Sequence, residues 1–178
     1  MKPEQIVKKF MSEIRSGRNL DYVDNIMAAQ VLAHQVIGEE EITVSRTPKE
    51  YAEHVREMIE AYGEFSLTIE DFLVQGDKIY VRWKQVGTHV GEVEGFKPTG
   101  ATIIERASAV YRVEDEKIVE YWIQIDRLGI QKQLEFHSNM DESNNWTHFC
   151  IFAHFSFNLV IFCNFYIQSD IINIRKWI

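Results

Sequence analysis

Gly63 separates two hydrophobic periods, and this switch restricts the folds open to the chain more than any other feature. Before it, apolar residues recur at helical spacing: Ile6, Phe10 and Ile14, then Leu20, Val23 and Ile26, with Gly17 breaking the run into two short helices. A third helix is marked more fully. Thr47, Pro48 and Glu50 supply an N-cap, a first-turn proline and the acid of a capping box, and Tyr51, Val55, Met58, Ile59 and Tyr62 form an apolar stripe that stops at Gly63.

After Gly63 the pattern is that of strands. Phe65 to Val74 and Lys78 to His89 meet at Gly76-Asp77, and Thr102 to Val113 and Lys117 to Asp126 meet at Glu114-Asp115-Glu116, which predicts two hairpins. Helices followed by antiparallel strands make an α+β domain. A curved sheet wrapped against helices leaves a cavity at its open end.

Asp126 ends an otherwise apolar strand, Lys117 to Ile125, and alternation places it on one face with Ile118, Glu120, Trp122 and Gln124. Two roles fit it. Beside a tryptophan in an apolar pocket, the charged form of a carboxylate is disfavoured, which suits a general base or acid near neutral pH. Alternatively Asp126 is the N-cap of a helix supplied by Leu128 to Leu134.

Composition narrows the function. The formal net charge is −8, and no cluster of Lys and Arg interleaves with aromatics, so nucleic-acid partners are not expected. Both cysteines, Cys150 and Cys163, lie near the C-terminus, leaving no disulfide framework for the rest of the chain. His34, His54 and His89 are far apart and match no metal-binding spacing, so no metal is expected. The first twenty residues have an amphipathic pattern without a signal-peptide core, which predicts a cytoplasmic protein.

The character of the chain changes after Phe136. Ser143 to Ser169 contains no Asp, Glu, Lys or Arg, while Phe149, Phe152, Phe155, Phe157, Phe162 and Phe165 crowd together. Residues 1–136 are therefore read as the functional domain and 137–178 as an atypical hydrophobic extension. Three readings of the extension stand open: a non-native or poorly ordered addition, a membrane tail anchor opposed by His154, Asn158 and Asn164, or a packed element.

The order of elements, with VRWKQVGTHVGEVEGFKPTG at Val81 to Gly100 and VEYWIQIDRLGIQKQL at Val119 to Leu134, resembles the SnoaL-like polyketide cyclase or ester cyclase family of the NTF2-like superfamily. QGDKIYVRW and Val31 to His34 add to the likeness, which covers most of residues 4–136. Glu135 stands where the family usually has a glycine after QL. The resemblance implies a cone-shaped α+β fold, ring closure by an intramolecular aldol step, no metal or organic cofactor, and Asp126 in the acid/base position. It also implies pairing of two chains through the sheet.

On that basis the expected function is a cofactor-independent cyclase acting on a hydrophobic carbonyl or ester, polyketide-like in kind. An isomerase or epoxide hydrolase on the same fold, or a module that binds an apolar ligand without turnover, are the alternatives. Asp126 is the expected base, and His89 in GTHVG is expected either to donate a hydrogen bond to the enolate oxygen or to orient the substrate. His34, Trp83, Trp122, Gln124 and Tyr62 are the expected substrate contacts. The outer sheet face, taken as rich in Ile, Val and Tyr, is expected to form a homodimer contact.

Overall fold

The computed structural model describes residues 1–37 and 40–144. Helix α1 (Pro3–Lys9) runs directly into a π-helical stretch, Phe10–Arg15, and together they bury Ile6, Val7, Phe10, Met11, Ile14 and Arg15. Gly17 then turns the chain at φ +76°, where a Cβ would stand 2.8 Å from Ile59 Cδ1. The second expected helix is reduced to a 3-10 turn, Leu20–Tyr22, and a single turn α2, Val23–Ile26.

Strands β1 (Met27–Ile37) and β2 (Glu40–Arg46) follow as a hairpin that the sequence pattern did not announce. The reason is compositional. The segment MAAQVLAHQV is rich in Ala and Gln, residues that favour helix or nothing, and it is extended because it pairs parallel with β6 on one side and antiparallel with β2 on the other. Helix α3 (Pro48–Tyr62) carries the predicted capping box: the Glu50 N–H donates to Thr47 Oγ1 (3.2 Å) and the Thr47 N–H to Glu50 Oε2 (2.7 Å). Such a cap contributes about 1 kcal/mol.

Both predicted hairpins form, β3 (Ser66–Gln75) with β4 (Lys78–Thr88) and β5 (Thr102–Glu114) with β6 (Lys117–Ile125). The six strands make one curved, unclosed sheet in the order β2-β1-β6-β5-β4-β3. Ile79, Val81 and Trp83 of β4 and Ala107, Ala109 and Tyr111 of β5 face the helices and pack on Ile6, Phe10 and Ile14. The β4–β5 loop closes one end of this core. The N–H groups of Val90 and Gly91 both donate to the carbonyl of Ala61 at 3.0 Å, capping α3. A Cβ on Gly91 would stand 2.4 Å from the Glu60 carbonyl oxygen, so only glycine allows that approach.

A bulge in β6 determines what faces inward. Arg112 pairs with Glu120 but Val113 pairs with Ile118, so one residue of β6 is unmatched. Ile118 points into the core, and beyond the bulge Tyr121, Ile123 and Ile125 do so, while Glu120, Trp122 and Gln124 turn to the outer face. The strict alternation read from the sequence is therefore broken at Val119. Helix α4 (Arg127–Asn144) follows at once and runs without a break past Phe136. The aromatic run of the extension lies outside the described residues. Among the described residues, no helix is long and apolar enough to cross a membrane.

Candidate active site

Between α3 and the concave face of the sheet lies a cavity of about 80 Å³, room for several waters when each takes ~10–15 Å³ on this measure. Its deep end is built on an ion pair. Arg15, delivered by the last π-helical turn, donates through Nη2 to Glu105 Oε1 at 2.9 Å and through Nη1 to Gln85 Oε1 at 2.8 Å. Arg15 is 3% exposed and Glu105 8%. The guanidinium lies 5.4 Å from the centroid of the Trp83 ring, a cation–π contact that further fixes it.

Aromatic residues form much of the wall. Tyr51 and Tyr62 of α3, Tyr111 of β5 and Tyr121 of β6 all line the cavity, and burial pushes each of their hydroxyls above the usual tyrosine range. His54, one turn along α3 from Tyr51, is pushed down to about 3, first by burial and then by the nearby Arg46, Arg15 and Arg127. It is a neutral imidazole at physiological pH. At the mouth stand Val93 and Glu94 of the β4–β5 loop, and Arg127 and Ile130 of α4. Arg127 Nη2 donates to Gln35 Oε1 at 2.6 Å.

Of the residues expected from sequence, Tyr62 lines this cavity. The others stand elsewhere. Asp126 shares a face with Trp122, as alternation predicted, but the bulge makes that the outer face, so its expected burial in an apolar pocket is corrected. Asp126 is exposed, borders an open groove with Glu70, Arg82 and Arg106, and its Oδ1 accepts from the Gly129 N–H at 2.9 Å. It is the N-cap of α4.

His89 is fully buried but does not line the cavity. Its Nδ1 lies 3.2 Å from Thr99 Oγ1, its N–H donates to the Ala101 carbonyl (2.8 Å), and its own carbonyl accepts from Gly100 (2.9 Å), so it anchors the β4–β5 loop. Burial lowers its pKa. Trp83 is core beneath Arg15. His34, Trp122 and Gln124 belong to the outer face: His34 stacks on Trp122 with centroids 4.9 Å apart, and its Nε2 lies 2.9 Å from Glu120 Oε1. That face is also less apolar than expected, since Arg82 pairs with Asp71, Arg106 with Glu70 and Arg112 with Glu120.

The sequence reading missed Glu105, His54, Arg15 and Arg46. A signal existed for two of them. Glu105 alternates with Ala107, Ala109 and Tyr111, so period 2 puts it on the inward face, and His54 falls within the α3 stripe between Tyr51 and Met58. Arg15 and Arg46 carried no periodic signal, because long cationic side chains at element ends usually reach solvent. Among the described residues no cluster of His, Cys, Asp and Glu could hold a metal ion.

Helices laid in the concavity of an open sheet, with a polar and aromatic cavity between them, define a cone-shaped α+β pocket protein of the NTF2-like type. The model of the SnoaL-like polyketide cyclase family matches residues 5–134, and the chain belongs to that family. Its fold is similar to that of a candidate polyketide cyclase from Acidithiobacillus ferrooxidans, at 25% identity and a TM-score of 0.67 over 77% of this chain and 96% of the other. It also resembles IdmH, a candidate polyketide cyclase from Streptomyces antibioticus (21% identity, TM-score 0.65, 76% and 99% covered). A candidate SnoaL-like cyclase from Jannaschia is similar too, at 14% identity and a TM-score of 0.63 over 74% and 90% of the two chains. Comparison with curated proteins produced no match.

Proposed function

We propose that the chain is a cyclase of the SnoaL type that removes a proton next to a carbonyl in a small hydrophobic ketone or ester, so that the resulting enolate attacks a second carbonyl of the same molecule. The observation that carries this reading is the Glu105 carboxylate, held by Arg15 inside an aromatic cavity. Water-poor walls strengthen the electrostatic interactions that stabilise an enolate, and buried hydroxyl and guanidinium donors supply its hydrogen bonds. Burying an ion pair without a task is a poor way to gain stability, which counts against a passive apolar-ligand carrier.

The base in this reading is Glu105. Asp126, which the family resemblance puts in that role, is exposed and occupied in capping α4, so proton abstraction inside the cavity falls to the buried carboxylate. An isomerase or epoxide hydrolase would use the same carboxylate to shift a proton or activate water. The reaction would run in a homodimer formed across the outer sheet face, with no organic cofactor.

Deuterium uptake next to the carbonyl of propiophenone in D2O tests the chemistry without knowledge of the natural substrate. Wild type should exchange above background, Glu105→Gln should lose about 100-fold, and Asp126→Asn should retain the rate, a positioned base being worth about that much. Loss in Asp126→Asn with retention in Glu105→Gln would restore Asp126 as the base. No exchange by wild type would favour a binder.

A further inference from the structure

We propose that the cavity is made for a substrate carrying a carboxylate, and that the Arg46 guanidinium receives that group. The inference rests on the cavity being the substrate site and adds the chemical class of what enters it. Arg46 ends β2, lines the cavity and is only 5% exposed. Its side chain hydrogen-bonds the Tyr121 hydroxyl, yet Nη2 is buried and has no hydrogen-bond partner among the described residues. Arg15 shows the contrast, because its guanidinium is matched by Glu105 and Gln85. A guanidinium taken out of water without a counter-charge is costly, and a planar donor fork on a residue that lines a cavity suits a carboxylate.

The surrounding charges agree. Arg15, Arg46 and Arg127 line the cavity against Glu105, while Glu94 is exposed at the mouth. His54 adds no charge at neutral pH. This local excess of cations stands in a chain whose formal net charge is −8, so it comes from placement and not from composition. Arg127 sits in the first turn of α4, directly after the Asp126 cap, at the helix end where the dipole disfavours a cation. Its site at the mouth gives it a use there: it draws an anion toward Arg46. Met58, Ile123 and Ile125 provide the apolar surface for the rest of the molecule. A free keto acid therefore suits the site better than its ester.

Calorimetric titration of the full-length protein with benzoate, benzamide and methyl benzoate at pH 7 and low salt tests this. Benzoate should bind at least about tenfold tighter than either neutral compound, the discrimination expected of one buried charge-assisted contact. Arg46→Met should lose the preference and Arg46→Lys keep part of it. Equal affinities in wild type, or an unchanged preference in folded Arg46→Met, would overturn the proposal. If Arg46→Met does not fold, the Arg46 guanidinium NMR resonances decide, since they should move with benzoate and not with benzamide, and no movement is a refutation. Propiophenone exchange uses a neutral ketone, so it reports on the cyclase reading separately. Exchange without benzoate preference sinks only the anion inference, and preference without exchange sinks only the cyclase reading.

Discussion

Asp126 and Gly129 are matched to each other: Oδ1 of Asp126 accepts from the Gly129 N–H at 2.9 Å, and a Cβ on Gly129 would stand 2.2 Å from Asp126 Oδ2. The glycine is where it is because the cap lies over it. Asp126→Asn should keep the cap and unfold within about 0.5 kcal/mol of wild type, whereas Asp126→Ala should cost about 1 kcal/mol. Gly129→Ala should destabilise the wild type, since the Asp126 carboxylate must leave. In the Asp126→Ala background the same change should stabilise by up to about 1 kcal/mol, because alanine is the better helix former once the carboxylate is gone. Urea denaturation of the four proteins checks the change of sign.

Arg15→Met should be among the most destabilising substitutions in the chain, at about 3–5 kcal/mol, because it leaves the Glu105 carboxylate buried without its cation. The double variant Arg15→Met with Glu105→Leu should recover much of that loss by removing the stranded charge. Chemical denaturation measures both. A double variant as unstable as Arg15→Met would mean that packing of Arg15 on Trp83, and not charge, is what matters.

His54 should make stability depend on pH, with a sign set by its lowered pKa. Its pKa is pushed from 6.5 down to about 3 in the folded protein, chiefly by burial and then by Arg46. Between these values the unfolded chain binds a proton that the folded chain does not, so stability is full above pH 6.5 and falls as pH drops toward 3. The slope from this group is at most about 1.4 kcal/mol per pH unit. His54→Phe should flatten the profile of melting temperature against pH in that window, and an unaltered slope would assign it to carboxylates.

Association through the outer face should give a dimer at micromolar concentration by light scattering. Leu32 is 43% exposed there, on the strand that carries His34 of the His34–Trp122 stack. Val110→Arg, at the centre of that face, should halve the mass without altering the far-ultraviolet spectrum. A wild-type monomer under the same conditions would dismiss the dimer.

Local chemistry carried much of this fold in the sequence. The Thr47-Pro48-Glu50 cap, the stripe on α3 and the turns at Gly76-Asp77 and Glu114-Asp115-Glu116 are encoded within a few residues of one another, so they could be read in advance. The β1–β2 hairpin could not, because β1 draws its extended form from pairing with β6, some ninety residues away.

The candidate site was decided by tertiary structure. One unmatched residue in β6 exchanges the two faces of the strand, which sends Asp126 and Trp122 outward and Tyr121, Ile123 and Ile125 into the cavity. Period-2 alternation is a local rule, and a bulge is settled by how a strand meets its neighbours. Gln85 and Glu105 are cross-strand neighbours on β4 and β5, but Arg15 lies 70 and 90 residues from them in the chain and joins them only when the π-helical stretch after α1 packs across the sheet. What the sequence determined by itself was a capped helix laid on antiparallel strands; which charges that arrangement encloses depended on where long side chains end once those elements have packed.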